Sequence, residues 1–153
     1  PNISIKSNKK KFNKLADISN FDLIFDCSDN PETKYTINFL SHLSKKTLIS
    51  GSAVQMEGQL AIWKSGLNKD YPCYECVFLF SINVARITNC REAGIIGPIP
   101  GLIAIMQVNE GMKEIALKNY NSRAGYLFLY DGLAQSLDKI KLIKNRKCPV
   151  CSI

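Results

Sequence analysis

Short apolar runs and helical stripes alternate along the chain, and this pattern predicts an α/β fold. Residues 21–27 (FDLIFDC) have the length and composition of a buried parallel strand. A helical stripe of Ile37, Leu40 and Leu43 follows, and residues 47–50 are predicted to form a second strand. Residues 21–50 therefore predict one strand–helix–strand unit.

The turn before this helix carries Asp29 and Asn30, followed by Pro31. Both polar residues are good helix caps, and proline suits the first helical position. Asp26 and Asp29 also lie at the carboxyl end of the predicted strand, the edge where open α/β sheets bind ligands. A carboxylate there can hold Mg²⁺ against the phosphates of a nucleotide. The spacing leaves both interpretations of Asp29 open, a helix cap and a Mg²⁺ ligand.

The middle of the chain predicts an extended segment over residues 51–63, interrupted at Gly58. Residues 64–71 have loop composition, and residues 76–97 form a long connection without clear periodicity. Connections of that length in compact domains often carry function. We therefore expect chemistry in this connection.

The last third predicts a helix from Pro98 or Gly101 to Asn119, then strands at residues 126–130 and 137–143. The apolar face expected for this helix consists of Leu102, Ile105, Met106, Met112, Ile115 and Ala116. The two strands are joined through an Asp-Gly turn. Together these segments predict an α/β domain with a mixed sheet.

Four of the six cysteines form two pairs of identical spacing, Cys73 with Cys76 and Cys148 with Cys151. Two intervening residues let both sulfurs face one ion, and two such pairs complete the tetrahedral four-thiolate site of structural Zn²⁺. Disulfides belong to oxidising compartments, and we expect no secretory signal because no charged start precedes an apolar stretch. A redox Cys-x-x-Cys remains the weaker alternative. A metal here would fasten the C-terminal tail to the middle of the chain.

Cys90 lies between Asn89 and Arg91 on the predicted polar connection. An adjacent cation lowers the pKa of a thiol and favours the reactive thiolate, so Cys90 is a candidate nucleophile, with an inert free thiol as the alternative. Cys27 follows the first strand and is predicted to be a small buried residue. The single histidine, His42, is predicted at the surface, and one histidine excludes a His-rich metal site.

Twenty Lys and Arg against thirteen Asp and Glu give a net charge of +7. This charge permits an anionic partner, with a solvated surface as the simpler interpretation. Nucleic-acid recognition usually favours Arg, whereas Lys dominates here. Apolar runs shorter than about 18 residues exclude a helix that spans a bilayer. We expect neither nucleic acid nor membrane as a partner.

Taken in order, the motifs resemble those of the ubiquitin-activating-like (ThiF/MoeB/HesA) adenylyltransferases. The matching segments are residues 22–30 with Lys34 and Asn38, residues 51–54, residues 58–60, Cys73 and Cys76, residues 89–98, residues 130–132 and residues 148–151. They span nearly the whole chain, and the ordered set is specific where any single motif is not.

The resemblance implies a Rossmann-like mixed sheet with helices, the C-terminal part of the ubiquitin-activating-like fold. It implies an enzyme that uses ATP and Mg²⁺ to adenylate the C-terminal glycine of a small ubiquitin-like sulfur carrier. Thiamine thiazole biosynthesis is the leading branch and molybdopterin biosynthesis the alternative. The implied partners are the carrier, a sulfur donor of the desulfurase or rhodanese type, and a second copy in a homodimer, in the cytoplasm or the plastid stroma.

Residue roles carry over by matching position. Asp29 becomes the Mg-ATP aspartate and, with Asn30, the predicted cofactor-binding pair. Cys90 becomes the cysteine that can form a covalent link to the carrier. The zinc ligands become Cys73, Cys76, Cys148 and Cys151.

The sequence departs from the family in one respect, because it contains no G-x-G-x-x-G loop. The family's glycine-rich loop, ribose-binding acidic residue and phosphate-contacting Arg and Lys lie upstream of residue 1. We therefore interpret residues 1–153 as the C-terminal portion of a single adenylyltransferase domain, or as a shortened relative. The alternatives are a non-catalytic zinc module that binds a ubiquitin-like protein and, from charge and cysteines alone, a nucleic-acid binder.

Overall fold

A computed structural model describes residues 2–10, 12, 18–79, 93–117 and 123–152. Within them, five strands form one sheet in the order β1-β2-β3-β4-β5. The strands are β1 Leu23–Asp26, β2 Thr47–Val54, β3 Glu57–Trp63, β4 Tyr126–Asp131 and β5 Ser136–Lys141. The first pair is parallel and the other three pairs are antiparallel. The predicted mixed α/β sheet is confirmed.

Helix α1, Pro31–Leu43, connects the two parallel strands and packs on one face of the sheet. Its Ile37 and Leu40 join Leu48 and Trp63 in the apolar cluster of that face. Leu43 was predicted in the same stripe but is 51% exposed, because the buried residues of the helix end at Ser41. The predicted strand–helix–strand unit is otherwise confirmed.

The extended segment predicted over residues 51–63 is interrupted at Gln55, which has a φ of 51° and where the second and third strands form a hairpin, and not at Gly58. Gly58 lies inside β3, under helix α3, Pro98–Ala116. A Cβ added at Gly58 would lie 2.6 Å from Cδ1 of Ile103 on that helix. The glycine is therefore explained by close packing between the sheet and the helix, not by a turn.

Replacing Gly58 by alanine is expected to lower the free energy of unfolding by about 1–3 kcal/mol, because the core must make room for an extra methyl group. Gly101→Ala is the matched control, since Gly101 lies in α3 with no atom within 4 Å of its added Cβ. Alanine there is expected to stabilise the helix by about 0.5–1 kcal/mol. Urea unfolding measures both variants, and equal stabilities would contradict the packing assigned to Gly58.

Helix α3 covers the other face of the sheet with a side that differs from the predicted one. Its buried residues are Ile99, Ile103, Gln107, Glu110 and Gly111. By contrast, Ile105, Met112 and Ile115 are 69%, 60% and 74% exposed. The positions of the apolar residues alone predicted the wrong buried face. Two polar residues lie on the true one, Gln107, which is hydrogen-bonded to Asp26, and Glu110, which is paired with Lys113 and Arg123. The helix also ends at Ala116, before the predicted Asn119.

The C-terminal strands form the predicted hairpin, with the Asp131 carboxylate accepting hydrogen bonds from the backbone N–H groups of Leu133 and Ala134. β5 is exposed along its whole length. A short helix, α2, Tyr74–Val77, begins directly after Cys73. Among the residues that the structure describes, none belongs to a helix long and apolar enough to cross a membrane.

Candidate functional site

The carboxyl end of β1 is held by a buried carboxylate. Asp26, 1% exposed, accepts hydrogen bonds from the backbone N–H and the hydroxyl of Ser28 at 2.9 and 2.6 Å. Lys34, from the first turns of α1, lies 3.0 Å from the second carboxylate oxygen and donates to the carbonyl of Gly51 at 3.1 Å. These contacts satisfy the buried charges of both partners. Asp26 therefore fixes the turn and does not present its carboxylate to a ligand.

Asn30, and not Asp29, caps α1. Its side-chain oxygen accepts a hydrogen bond from the backbone N–H of Thr33 at 2.8 Å. The Asp29 side chain is exposed and forms no hydrogen bond or ion pair with the described part of the chain. Two interpretations were open for Asp29, a helix cap and a Mg²⁺ ligand. The helix cap is Asn30, so the first interpretation does not apply to Asp29. The Asp29 carboxylate remains available at the ligand-binding edge of the sheet.

A residue that sequence reasoning missed, Gln107 of α3, contacts the same strand end from the other face. Its amide nitrogen donates to the carbonyls of Asp26 at 3.0 Å and Ile49 at 3.1 Å, and its oxygen accepts from the thiol of Cys27 at 3.5 Å. Cys27 is exposed, so the prediction that it is buried was wrong. Gln107 shares the helical spacing of the buried Ile99 and Ile103, which is the signal that could have identified it.

The four paired cysteines lie together, with their sulfur atoms all within 4.8 Å of one another. Cys73 and Cys148 are 3.5 Å apart, Cys76 and Cys151 are 3.3 Å apart, and Cys73 and Cys76 are 3.9 Å apart. A tetrahedral ion with metal–sulfur bonds of about 2.3 Å requires sulfur–sulfur distances of about 3.8 Å. The donor set and spacing fit a four-thiolate metal site. In this part of the chain all four are free thiols, not disulfides.

The electrostatics of the cluster favour a cation. A hydrogen bond from Cys73 lowers the pKa of the Cys76 thiol, and the same contact together with burial raises the pKa of Cys73. Burial, followed by the hydrogen bond with Cys76, raises the pKa of Cys151 to about 12. One thiolate therefore forms at the expense of its neighbours, since several unshielded negative charges repel one another. A bound dication would remove this conflict and favour thiolate at all four sulfurs.

Helix α1 connects the strand-end turn to the cysteine cluster. Asn38, 2% exposed, accepts a hydrogen bond from the backbone N–H of Tyr74, the residue after Cys73. Nearby, the hydroxyl of Tyr35 donates to the carbonyl of Phe78 at 2.9 Å. These bonds fix α2 and the first cysteine pair against α1. Helix α1, which begins at the strand-end turn, is thus hydrogen-bonded to the segment that carries the first cysteine pair.

His42 lies in the last turn of α1. Its side chain is half-buried, not at the surface as predicted. Its Nδ1 lies 3.0 Å from the hydroxyl of Ser65. Burial, followed by the positive charge of Lys144, lowers the pKa of His42. The histidine therefore joins α1 to the loop after β3 in its neutral form.

The predicted nucleophile Cys90 lies outside the described residues. The connection that carries it is described again from Ala93 and returns to the β2–β3 turn. There Gln55 donates a backbone hydrogen bond to Gly94 and accepts one from Ile96, at 2.9 and 3.1 Å. The role of Cys90 stays a prediction.

The mixed sheet lies between α1 and α3, which defines a Rossmann-like α/β domain. This domain carries an exposed carboxylate at the end of β1 and a cluster of four cysteines that includes two from the C-terminal tail. The chain belongs to the ThiF family, whose profile matches residues 1–150. The family predicted from the ordered motifs is confirmed.

Curated relatives extend well beyond the matched region. The chain is 40% identical over 151 residues to adenylyltransferase and sulfurtransferase MOCS3 of Caenorhabditis briggsae, covering 98% of this chain and 36% of the relative. It is 38% identical over 141 residues to the protein of the same name from Culex quinquefasciatus, covering 92% of this chain and 31% of the relative. The chain thus spans about a third of the length of these relatives.

Solved structures support the fold. Escherichia coli MccB with ATP superposes with a TM-score of 0.69 at 14% identity, covering 93% of this chain and 43% of that chain. The heterocyclase TruD gives a TM-score of 0.51 at 14% identity, covering 84% of this chain and 22% of that chain. At these identities the similarity concerns the arrangement of helices and strands alone.

Proposed function

We propose that this chain is part of an adenylyltransferase that activates the C-terminal glycine of a ubiquitin-like sulfur carrier with ATP. The observation that carries the proposal is the exposed Asp29 carboxylate, held between the anchored residues Ser28 and Asn30 at the carboxyl edge of β1. Membership of the ThiF family and relatives called adenylyltransferase and sulfurtransferase support the same activity. Residues 1–153 are then the C-terminal portion of one adenylyltransferase domain.

In the proposed reaction, an oxygen of the carrier's terminal carboxylate forms a bond to the α-phosphorus of ATP. The bond between the α-phosphorus and the bridging oxygen breaks, and pyrophosphate leaves with the electron pair. Such a step needs little covalent help from the protein, so positioning and neutralisation of phosphate charge dominate catalysis. Mg²⁺ bound at Asp29 would supply part of that neutralisation.

The residues around Asp29 have distinct tasks in this proposal. Asp29 provides the metal-binding carboxylate, and Asn30 keeps the first turn of α1 intact so that its backbone N–H groups face the phosphates. Lys34 is committed to Asp26 and Gly51. The cations that contact the phosphates therefore have to come from outside this turn, as the family resemblance implies.

For the carrier, we favour the molybdopterin branch over the thiamine branch, which reverses the order expected from the motifs. The names of the MOCS3 relatives support the molybdopterin carrier better than the thiamine carrier. A structural Zn²⁺ at the four cysteines, a covalent role for Cys90 in sulfur transfer, a sulfur donor, a homodimer and a cytoplasmic location belong to the same proposal.

Carrier-dependent ATP–pyrophosphate exchange tests the proposed function in the whole protein that contains this chain. We expect exchange with a molybdopterin-type carrier ending in glycine and much less with a thiamine-type carrier. The same carriers without their terminal glycine serve as controls, because the carboxylate to be adenylated is then displaced. Exchange with neither carrier would overturn the proposal, and stronger exchange with the thiamine carrier would overturn the choice of branch.

A further inference from the structure

Gln107 uses its whole amide at the end of β1. The side chain is 3% exposed; its nitrogen donates to the carbonyls of Asp26 and Ile49, and its oxygen accepts from the Cys27 thiol. The amide therefore joins the last residue of β1, the residue after it and the neighbouring β2. Loss of this amide would remove a buried hydrogen bond from each of the two carbonyls, which is costly.

Asp29 follows this strand end by three residues. On the α1 side, the turn is fixed by the Lys34–Asp26 ion pair and by the bonds from Ser28 to the Asp26 carboxylate. These contacts all reach the side chain of Asp26, and none of them fixes its carbonyl. Gln107 donates to that carbonyl from the opposite face of the sheet. The strand end is thereby held on both faces.

We infer that Gln107 is a positioning residue for Asp29: it fixes the end of β1 from the α3 side, so that the turn presents the Asp29 carboxylate at one place. This inference rests on the proposed function, in which Asp29 binds the Mg²⁺ of Mg-ATP. In this inference Gln107 acts through the backbone carbonyl of Asp26 and the thiol of Cys27 and not by direct contact with nucleotide or metal.

Gly51 provides an independent observation. A Cβ added there would lie 2.5 Å from the side-chain oxygen of Gln107 and 2.6 Å from its Cδ. Glycine inside a strand weakens the strand and often marks a place where another group approaches closely. Here the approaching groups are the Gln107 amide and, at 2.8 Å, Cγ2 of Ile103, and the carbonyl of Gly51 also accepts a hydrogen bond from Lys34. Gly51 thus leaves room for the side chain of Gln107 from α3 and accepts a hydrogen bond from Lys34 of α1.

The test uses two variants that disturb the anchor from different sides. Gln107→Met keeps the length of the side chain and removes its hydrogen bonds. Gly51→Ala keeps the glutamine in the sequence, but the added methyl group pushes its amide away from the end of β1. Asn109→Met, at an exposed position of the same helix, is the matched control. The readout is the Mg²⁺ concentration that gives half-maximal carrier-dependent pyrophosphate exchange in the whole protein.

We expect both variants to raise this Mg²⁺ concentration about 10-fold, as losing a residue that orients a metal ligand does. The KM for the carrier and the behaviour of the control should stay unchanged. A merely structural role would reduce the amount of active protein, and hence kcat, without moving the Mg²⁺ requirement. A fall in kcat with the Mg²⁺ requirement unchanged would overturn the inference.

Alkylation of Cys27 gives a readout that does not depend on activity. Its thiol donates to Gln107, so both variants should be alkylated faster at Cys27 when the modified site is quantified by mass spectrometry. An unchanged rate would overturn the anchoring role of Gln107. An inactive wild-type protein would instead overturn the proposed function, and the Cys27 rate would still decide whether Gln107 holds the strand end.

Discussion

Replacing Cys148 by serine is expected to remove the bound metal and to lower the free energy of unfolding by about 3 kcal/mol or more, since metal binding contributes directly to folding. Cys148 is 2% exposed and its sulfur lies 3.5 Å from that of Cys73, across 75 residues of chain. A hydroxyl is a poor substitute for a thiolate toward Zn²⁺. The loss would separate the C-terminal tail from the start of α2.

The measurement combines metal content per chain with thermal unfolding of the reduced protein. We expect one Zn²⁺ per chain in the wild type and a fall in Tm of about 6–12 °C in the variant, from the usual relation between stability and Tm at this size. Cys27→Ser is the matched control, because Cys27 is a free thiol outside the cluster. A metal-free wild type, or a variant that keeps both its metal and its Tm, would contradict the four-thiolate site.

Local patterns were sufficient to predict the strand–helix–strand unit and the cysteine cluster. The β1–α1–β2 unit follows from apolar runs of strand length and from a helix start marked by Asn30 and Pro31. The cysteine pairs are informative because each places two thiols on one tight turn. In both cases residues close in sequence carry the structural information.

Contacts between distant segments could not be predicted in this way. Gln107 contacts Asp26 across 81 residues, and nothing near either residue in the sequence marks the pair. The buried face of α3 was misjudged for the same reason, because its polar Glu110 forms an ion pair with Arg123, which lies beyond the helix. Gly58 was likewise predicted to interrupt an extended segment, whereas it lies within β3 and leaves room for Ile103, 45 residues further along the chain.

The two aspartates at the end of β1 illustrate what the structure adds to spacing. Both Asp26 and Asp29 were candidates for a Mg²⁺ ligand. Burial and the ion pair with Lys34 commit Asp26 to the fold, and the cap at Asn30 leaves Asp29 without a structural task. The functional prediction therefore falls on Asp29 alone, and its substitution should separate activity from stability.

Asp29→Ala is expected to lower carrier-dependent pyrophosphate exchange by about 100- to 1,000-fold, the range for losing one preorganised charge-stabilising group. The free energy of unfolding should stay within about 0.5 kcal/mol of wild type, because the side chain is exposed and unpaired within the described residues. The experiment uses the whole protein, with exchange rates and urea unfolding measured on the same preparations.

The matched control is Asp22→Ala, which removes an equally exposed carboxylate just before the opposite end of β1. It changes the net charge by the same amount, so a difference between the two variants cannot arise from overall charge. Raising Mg²⁺ should not restore the Asp29 variant, because the other described carboxylate of residues 26–30, Asp26, is buried and paired with Lys34. Retained exchange in Asp29→Ala, or an equal loss in the control, would reject a Mg-ATP role for Asp29.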